Sequence, residues 1–193
     1  MIVFGDSYTS GENNGNVSFA DYLGIEKYGI SGICLDDYSI YPVKGGLISQ
    51  IDSCKGVENY FSKVLIEYGV NDAASLVTGY VSIETVKVAI AKVCDLLKNA
   101  DVYFLMLSCD FGDLMKFSIK YAKYLNSEYM KDLCDVTAED FLWCYSRVCE
   151  LLQRKFKTLY MLPKGFNEFD VDGIHPTDKG YRIIAEKLKQ QLS

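Results

Sequence analysis

A single histidine, His175, serves the whole 193-residue chain, so any acid–base chemistry run by an imidazole is confined to one position. Basic clusters able to track a phosphate backbone are missing too. The 20 lysines and arginines stand against 26 aspartates and glutamates, a formal net charge of −6, and nucleic acid is not an expected partner. No apolar run approaches the ~18 residues of a membrane span. Met1-Ile2-Val3-Phe4 runs straight into Gly5-Asp6, without a basic n-region or the apolar length of a signal segment. The chain as it stands reads as cytoplasmic, or as one already trimmed. Its seven cysteines (Cys34, Cys54, Cys94, Cys109, Cys134, Cys144 and Cys149) are odd in number, irregularly spaced and without a C-x-x-C. Neither a disulfide framework nor a zinc site is indicated, and reduced, buried thiols are expected. No metal and no cofactor is expected.

What is present fits one ordinary domain, residues 1–193. The hydrophobic share of 49% and charged share of 24% are those of a globular protein, and a chain of this length buries about 70% of its unfolded surface without staples. No repeat, low-complexity tract or linker divides it. Short apolar runs alternate with amphipathic ones, the pattern of a parallel sheet wrapped by helices. Strands are predicted at Ile2–Phe4, Lys27–Ile30, Val64–Tyr68, Val102–Leu107 and Lys157–Leu162. Helices are predicted at Phe19–Leu23, at Val43–Ile51 after Pro42, and at Ile83–Leu97, where Ile83, Val86, Ile90, Val93 and Leu97 step by three or four. Further helices are marked by Leu114, Phe117, Tyr121 and Leu125, by Phe141, Tyr145, Val148 and Leu152, and by Thr177–Leu192. Gly69 is expected to lead into a loop, and Asp110–Asp135 to insert extra helical length between two strands. Thr177 is the expected N-cap of the last helix, with Asp178 in its first turn.

The stretch Asp172-Gly173-Ile174-His175-Pro176 organises the chemistry. Asp172 lies three residues before the only imidazole, and a short turn brings such a carboxylate onto the ring's Nδ1–H, leaving Nε2 free to take a proton. Taken alone, the stretch reads equally as a surface histidine ahead of a helix-starting proline. Its company decides the matter. Gly5-Asp6-Ser7 follows the first strand, Ser31-Gly32 the second, Gly69-Val70-Asn71-Asp72 the third, and the Asp172/His175 pair the fifth, so all four converge on one edge of a parallel sheet, where ligands bind in such folds. A serine there, with an imidazole backed by a carboxylate, lets a weak hydroxyl attack an ester carbonyl. Asp6 and Asp72 are expected to accept backbone N–H bonds in their turns.

These four blocks, Gly5-Asp6-Ser7-Tyr8-Thr9-Ser10-Gly11, Gly29-Ile30-Ser31-Gly32, Gly69-Val70-Asn71-Asp72 and Asp172-Gly173-Ile174-His175-Pro176, resemble the SGNH (GDSL-type) hydrolases in content and order, and they span almost the whole chain. The resemblance implies an α/β fold: a flavodoxin-like three-layer α/β/α sandwich around a parallel sheet of about five strands. It also implies roles. Ser7 is the nucleophile, His175 the base and Asp172 its orienter, with an oxyanion hole made by the backbone N–H of Ser7, the backbone N–H of Gly32 and the side-chain amide of Asn71. The physics agrees, because a residue without Cβ admits close backbone approach and a neutral amide stabilises developing negative charge. Tyr8 replaces the leucine of the family's name, and the first strand is short.

The expected activity is a serine esterase acting on O-acyl esters. The favoured substrates carry a short acyl group such as acetyl on a small-molecule or carbohydrate carrier, since no long apolar segment supplies a lid or acyl tunnel. The alternatives are an acyltransferase using the same acyl-enzyme, a longer-chain lipase or thioesterase drawing on Phe111, Leu114, Met115 and Phe117 of the insertion, and a non-catalytic module. The full set of catalytic residue types argues against the last.

Overall fold

The computed structural model describes residues 1–54, 62–128 and 135–193. Five strands, β1 (Ile2–Gly5), β2 (Glu26–Gly29), β3 (Lys63–Glu67), β4 (Asp101–Met106) and β5 (Lys157–Tyr160), form one sheet in the order β2-β1-β3-β4-β5. Every pairing is parallel, with Ile2 opposite both Glu26 and Val64. β1 and most of β3 are buried on both faces, which is why they read as unbroken apolar runs and not as alternation. β2, at the edge, alternates exposed and partly buried positions.

Eight helices are described: α1 (Ser7–Ser10), α2 (Phe19–Leu23), α3 (Leu47–Ser53), α4 (Val70–Val77), α5 (Ile83–Leu96), α6 (Phe111–Glu128), α7 (Ala138–Gln153) and α8 (Asp178–Leu192). Crossovers between parallel strands are right-handed. The step from β1 out to β2 therefore puts α1 and α2 on one face, and the reverse steps through β3, β4 and β5 put α3 to α7 on the other. The packing follows: α8 lies against α2 and β5, while α7 touches α4, α5, α6 and β4. The result is a three-layer α/β/α sandwich of the flavodoxin-like kind. The strand order reverses between β1 and β3, so the crevice of the switch point opens above Gly5 and Glu67.

Most predicted elements agree within one to four residues, and α2 has the predicted bounds. Two helices were not foreseen. α1 is a single turn, and α4 occupies the place given to a loop after Gly69. The helix predicted from Val43 begins at Leu47 because Gly46, in extended backbone, is its N-cap. Thr177 caps α8 by accepting from Gly180 N–H, with Asp178 in the first turn, as predicted. The insertion is helical as α6 up to Glu128; residues 129–134, with Cys134, lie outside the described residues. Cys34, Cys144 and Cys149 are buried, whereas Cys109 is exposed. Among the described residues no helix is long and apolar enough to cross a membrane.

Candidate active site

The end of β1 turns sharply into α1. Asp6 is the N-cap, its Oδ1 accepting from Tyr8 N–H at 3.2 Å, so Ser7 is the first residue of the helix and stands at its positive end. Gly5 is required by close approach: a Cβ there would sit 1.9 Å from Thr9 Oγ1 and 2.7 Å from Glu67 Oε2. Beyond β3, Gly69 at φ +118° caps α4 and places Asn71 in its first turn.

The histidine arrives on a tight loop. Phe169 bridges to Pro176, Asp170 N–H donates to His175 O at 2.7 Å, and Gly173 N–H donates to Asp170 O at 2.8 Å. Asp172 Oδ1 accepts from the backbone N–H groups of Ile174 (2.8 Å) and His175 (3.0 Å), and Oδ2 lies 2.6 Å from His175 Nδ1. Asn13 Nδ2 donates to the same Oδ2 at 2.8 Å, and Tyr8 Oη donates to Ile174 O at 2.7 Å. Burial works to raise the Asp172 carboxyl, but these hydrogen bonds and the imidazole outweigh it and hold the group below the usual carboxylate range. The pair predicted from sequence spacing is thus formed and clamped to α1.

Ser7, Gly32, Asn71 and His175 all line one cavity of about 240 Å³. Asp172 stands behind the histidine. Within the cavity the polar contacts differ from a closed relay. Ser7 Oγ donates to Asp6 Oδ1 at 3.4 Å, and Glu12 Oε2 lies 3.6 Å from His175 Nε2. Asn71 Nδ2 donates to Asp6 Oδ2 (2.8 Å) and to Ile33 O (3.1 Å), while its Oδ1 accepts from Tyr121 Oη (3.1 Å). The amide is fixed on both sides. Gly32 (φ +77°) faces Tyr41, whose hydroxyl shares a 2.7 Å hydrogen bond with Tyr121.

Beneath the cavity lie two buried carboxyls. Asp6 and Glu67 are each 2% exposed. Glu67 Oε2 accepts from Asp6 N–H (3.1 Å) and Thr9 Oγ1 (3.2 Å). Asp72, also buried, accepts from Leu35 N–H (3.0 Å) and Tyr38 Oη (2.7 Å), and so joins the β2–α3 loop to α4. Burial raises Asp6 and Asp72 to about 6 and raises Glu67 well above the carboxylate range.

Sequence reasoning missed Glu12, Asn13, Glu67, Tyr41, Tyr121 and Tyr124. Glu67 carried a signal, a carboxylate closing the apolar run Val64-Leu65-Ile66. The others lie on loops or on α6, and no local pattern marks them as neighbours of His175.

Comparison with known proteins follows the geometry. The chain matches the GDSL-like Lipase/Acylhydrolase family over residues 1–188. No curated protein sequence matches it. Among solved structures it is similar to a protein of the G-D-S-L family from Desulfitobacterium hafniense DCB-2, at 15% identity and a TM-score of 0.59, covering 98% of this chain and 97% of that one. It is also similar to a family two carbohydrate esterase from Clostridium thermocellum in complex with cellohexaose, at 18% identity and a TM-score of 0.55; 99% of this chain is covered, but only 62% of that one. An acetylxylan esterase from Geobacillus stearothermophilus, a catalytic mutant, matches at 11% identity and a TM-score of 0.58, covering 100% and 93% of the two chains. At these identities the likeness is one of fold.

Proposed function

This chain belongs to the GDSL-like lipase/acylhydrolase family of hydrolases, and on that premise we propose that it is a serine esterase removing short acyl groups, such as acetyl, from a polar carrier such as a carbohydrate. The observation that carries the reading is the 2.6 Å contact of Asp172 with His175 Nδ1 beside a cavity that His175 shares with Ser7, Gly32 and Asn71. Asp172 fixes the tautomer, so Nε2 is the basic nitrogen. Ser7 Oγ turns from its long contact with Asp6 onto Nε2 when substrate enters, as catalytic hydrogen bonds that are long in a free enzyme tighten in the complex. The hydroxyl then attacks the ester carbonyl while Nε2 takes its proton. The oxyanion is met by the backbone N–H groups of Ser7 and Gly32 and by Asn71 Nδ2, which exchanges its 3.1 Å bond to Ile33 O for the new acceptor. His175 returns the proton to the leaving alcohol, and water repeats the sequence on the acyl-enzyme.

The short-acyl preference is supported by the cavity's size, small beside the ~300–1,000 Å³ of sites for drug-sized ligands. Its walls also supply polar groups, Glu12 and the tyrosines 41, 121 and 124. The insertion's apolar residues stay outside the cavity: Leu114 and Phe117 are buried, with Phe117 stacked on Tyr121, and Phe111 is exposed but does not line it. The related carbohydrate and acetylxylan esterase structures are consistent with a sugar carrier. The test combines fluorophosphonate labelling with a p-nitrophenyl ester series run beside acetylated sugars. Labelling at Ser7 that disappears in Ser7→Ala, together with kcat/KM highest for acetate, is the expected result. Labelling retained in Ser7→Ala removes the nucleophile, and kcat/KM climbing steadily to decanoate replaces the short-acyl reading with a lipase.

A further inference from the structure

The relay of Ser7, His175 and Asp172 gives no part to Glu67, a buried ionisable group beside the site. Glu67 ends the central strand β3, directly under the turn that carries Ser7. It is 2% exposed, and its Oε2 accepts from Asp6 N–H and from the buried Thr9 hydroxyl. Its neighbour is a second buried carboxyl, Asp6, whose Oδ1 takes Tyr8 N–H and Ser7 Oγ and whose Oδ2 takes Asn71 Nδ2. Among the described residues neither carboxyl forms an ion pair with a lysine or arginine.

Two adjacent carboxylates removed from water without a cation do not both ionise: the desolvation cost and their mutual repulsion are relieved by one proton held between them. The hydrogen-bond inventory says which keeps it. Each Asp6 oxygen already has N–H or O–H donors, so Asp6 is the better anion. Glu67 Oε2 is filled by two donors, which leaves Oε1 as the atom able to carry a proton and give it to Asp6.

We propose that Glu67 is a positioning residue that works as a neutral carboxylic acid, hydrogen-bonded to the Asp6 carboxylate, so that the pair holds one negative charge beneath the nucleophile turn. That single charge aims Asn71 and Ser7 through the Asp6 oxygens, and it faces His175 at the moment the imidazolium forms. A second charge would pull the turn apart. The inference rests on the roles of Ser7 and His175 proposed above.

The other groups around the pair are consistent with it. The charge of Glu67 acts on the phenols of Tyr8 on α1, Tyr68 just after β3, Tyr145 on α7 and Tyr181 on α8, and that of Asp6 interacts with His175, Asp72, Tyr121 and Cys34. Burial pushes the phenols and Cys34 upward, so they stay neutral. Glu67 itself is raised by burial first and by the Asp6 charge second, while a hydrogen bond between the two side chains lowers Asp6 and raises Glu67.

The test compares the wild type with Glu67→Gln and Glu67→Ala. Glutamine reproduces the acid's donor and acceptor without being able to ionise. Its kcat/KM at neutral pH is expected within a few-fold of wild type, with no loss assignable to Glu67 ionisation as the pH is raised. Glu67→Ala leaves Asp6 N–H and Thr9 Oγ1 without an acceptor and is expected to lose about 10²-fold, mostly in kcat, the scale of a small misplacement of a catalytic group. Infrared difference spectra between wild type and Glu67→Gln, recorded in a Ser7→Ala background, read the proton directly and need no turnover. A protonated-carboxyl C=O band belonging to Glu67 supports the proposal. A carboxylate band in its place overturns it, as does a Glu67→Gln enzyme as impaired as Glu67→Ala. Failure of the esterase reading appears separately, as fluorophosphonate labelling that survives Ser7→Ala.

Discussion

Asn71 holds more than its sequence position promised. Its amide donates to Asp6 and Ile33 O and accepts from Tyr121, so a residue proposed as an oxyanion donor also joins the nucleophile turn to the β2–α3 loop and to α6. Removing one oxyanion donor typically costs about 10² to 10³ in kcat. Asn71→Ala is expected to fall in that range with KM little changed, checked by steady-state kinetics on an acetyl ester. A pure rise in KM would make Asn71 a substrate-binding residue. Tyr121→Phe separates the two roles, since it frees only the acceptor side of the amide; a loss well below that of Asn71→Ala is expected.

Among the elements, α4 is the one on which the site depends and which sequence periodicity did not reveal. Its eight residues begin Val70-Asn71-Asp72, where two polar residues after Gly69 read as a loop, and five of the six positions from Val70 to Ser75 are polar or small. The helix forms because its whole N-terminal half is buried against α7. Gly69 makes the turn into it at φ +118°, where a side chain brings strain of about 1 to 3 kcal/mol. Space is not the obstacle, because a Cβ there would meet Val148 Cγ1 at an ordinary 3.5 Å. Gly69→Ala is therefore expected to lower the denaturant midpoint by the backbone cost alone, and to reduce activity by tilting Asn71. An unchanged midpoint would mean that α4 adjusts its start without strain.

For the molecule as a whole, the buried carboxyls set the pH dependence of stability. Unfolded aspartate and glutamate titrate near about 3.9 and 4.3, whereas burial brings Asp6 and Asp72 to about 6 and lifts Glu67 well above its ordinary value. Between those limits the folded chain holds protons that the unfolded chain has lost, so stability falls as pH rises through about 4 to 6, and Glu67 extends the fall above 6. Asp172 acts with the opposite sign: its depressed value stabilises the fold above the ordinary carboxylate range and is lost in stronger acid. Urea unfolding at about pH 4.5, 6 and 8 is expected to show the highest midpoint in mild acid, and a smaller decline above pH 6 in Glu67→Gln. A midpoint rising from 4.5 to 8 would mean that these carboxyls are not held protonated in the fold.

The sequence by itself determined the parallel α/β architecture, because strands buried on both faces must be continuously apolar, as in Ile2-Val3-Phe4 and Val64-Leu65-Ile66. It also pointed to the Asp172–His175 pair: three residues of separation let a side chain reach back across one turn, and the company of the other three blocks favoured that reading over a surface histidine. The order of the four blocks then identified the edge of the sheet where chemistry is expected. Only the tertiary structure decided what surrounds those groups. Glu12 beside Nε2, Asn13 on Asp172 and Tyr121 on Asn71 are contacts across 50 to 163 positions of chain, and no local periodicity encodes a partner at that distance. The protonation of Glu67 belongs to the same class. A carboxyl's charge depends on the water and counter-charges that burial removes, and these exist only once β1, β3 and α1 have closed around it.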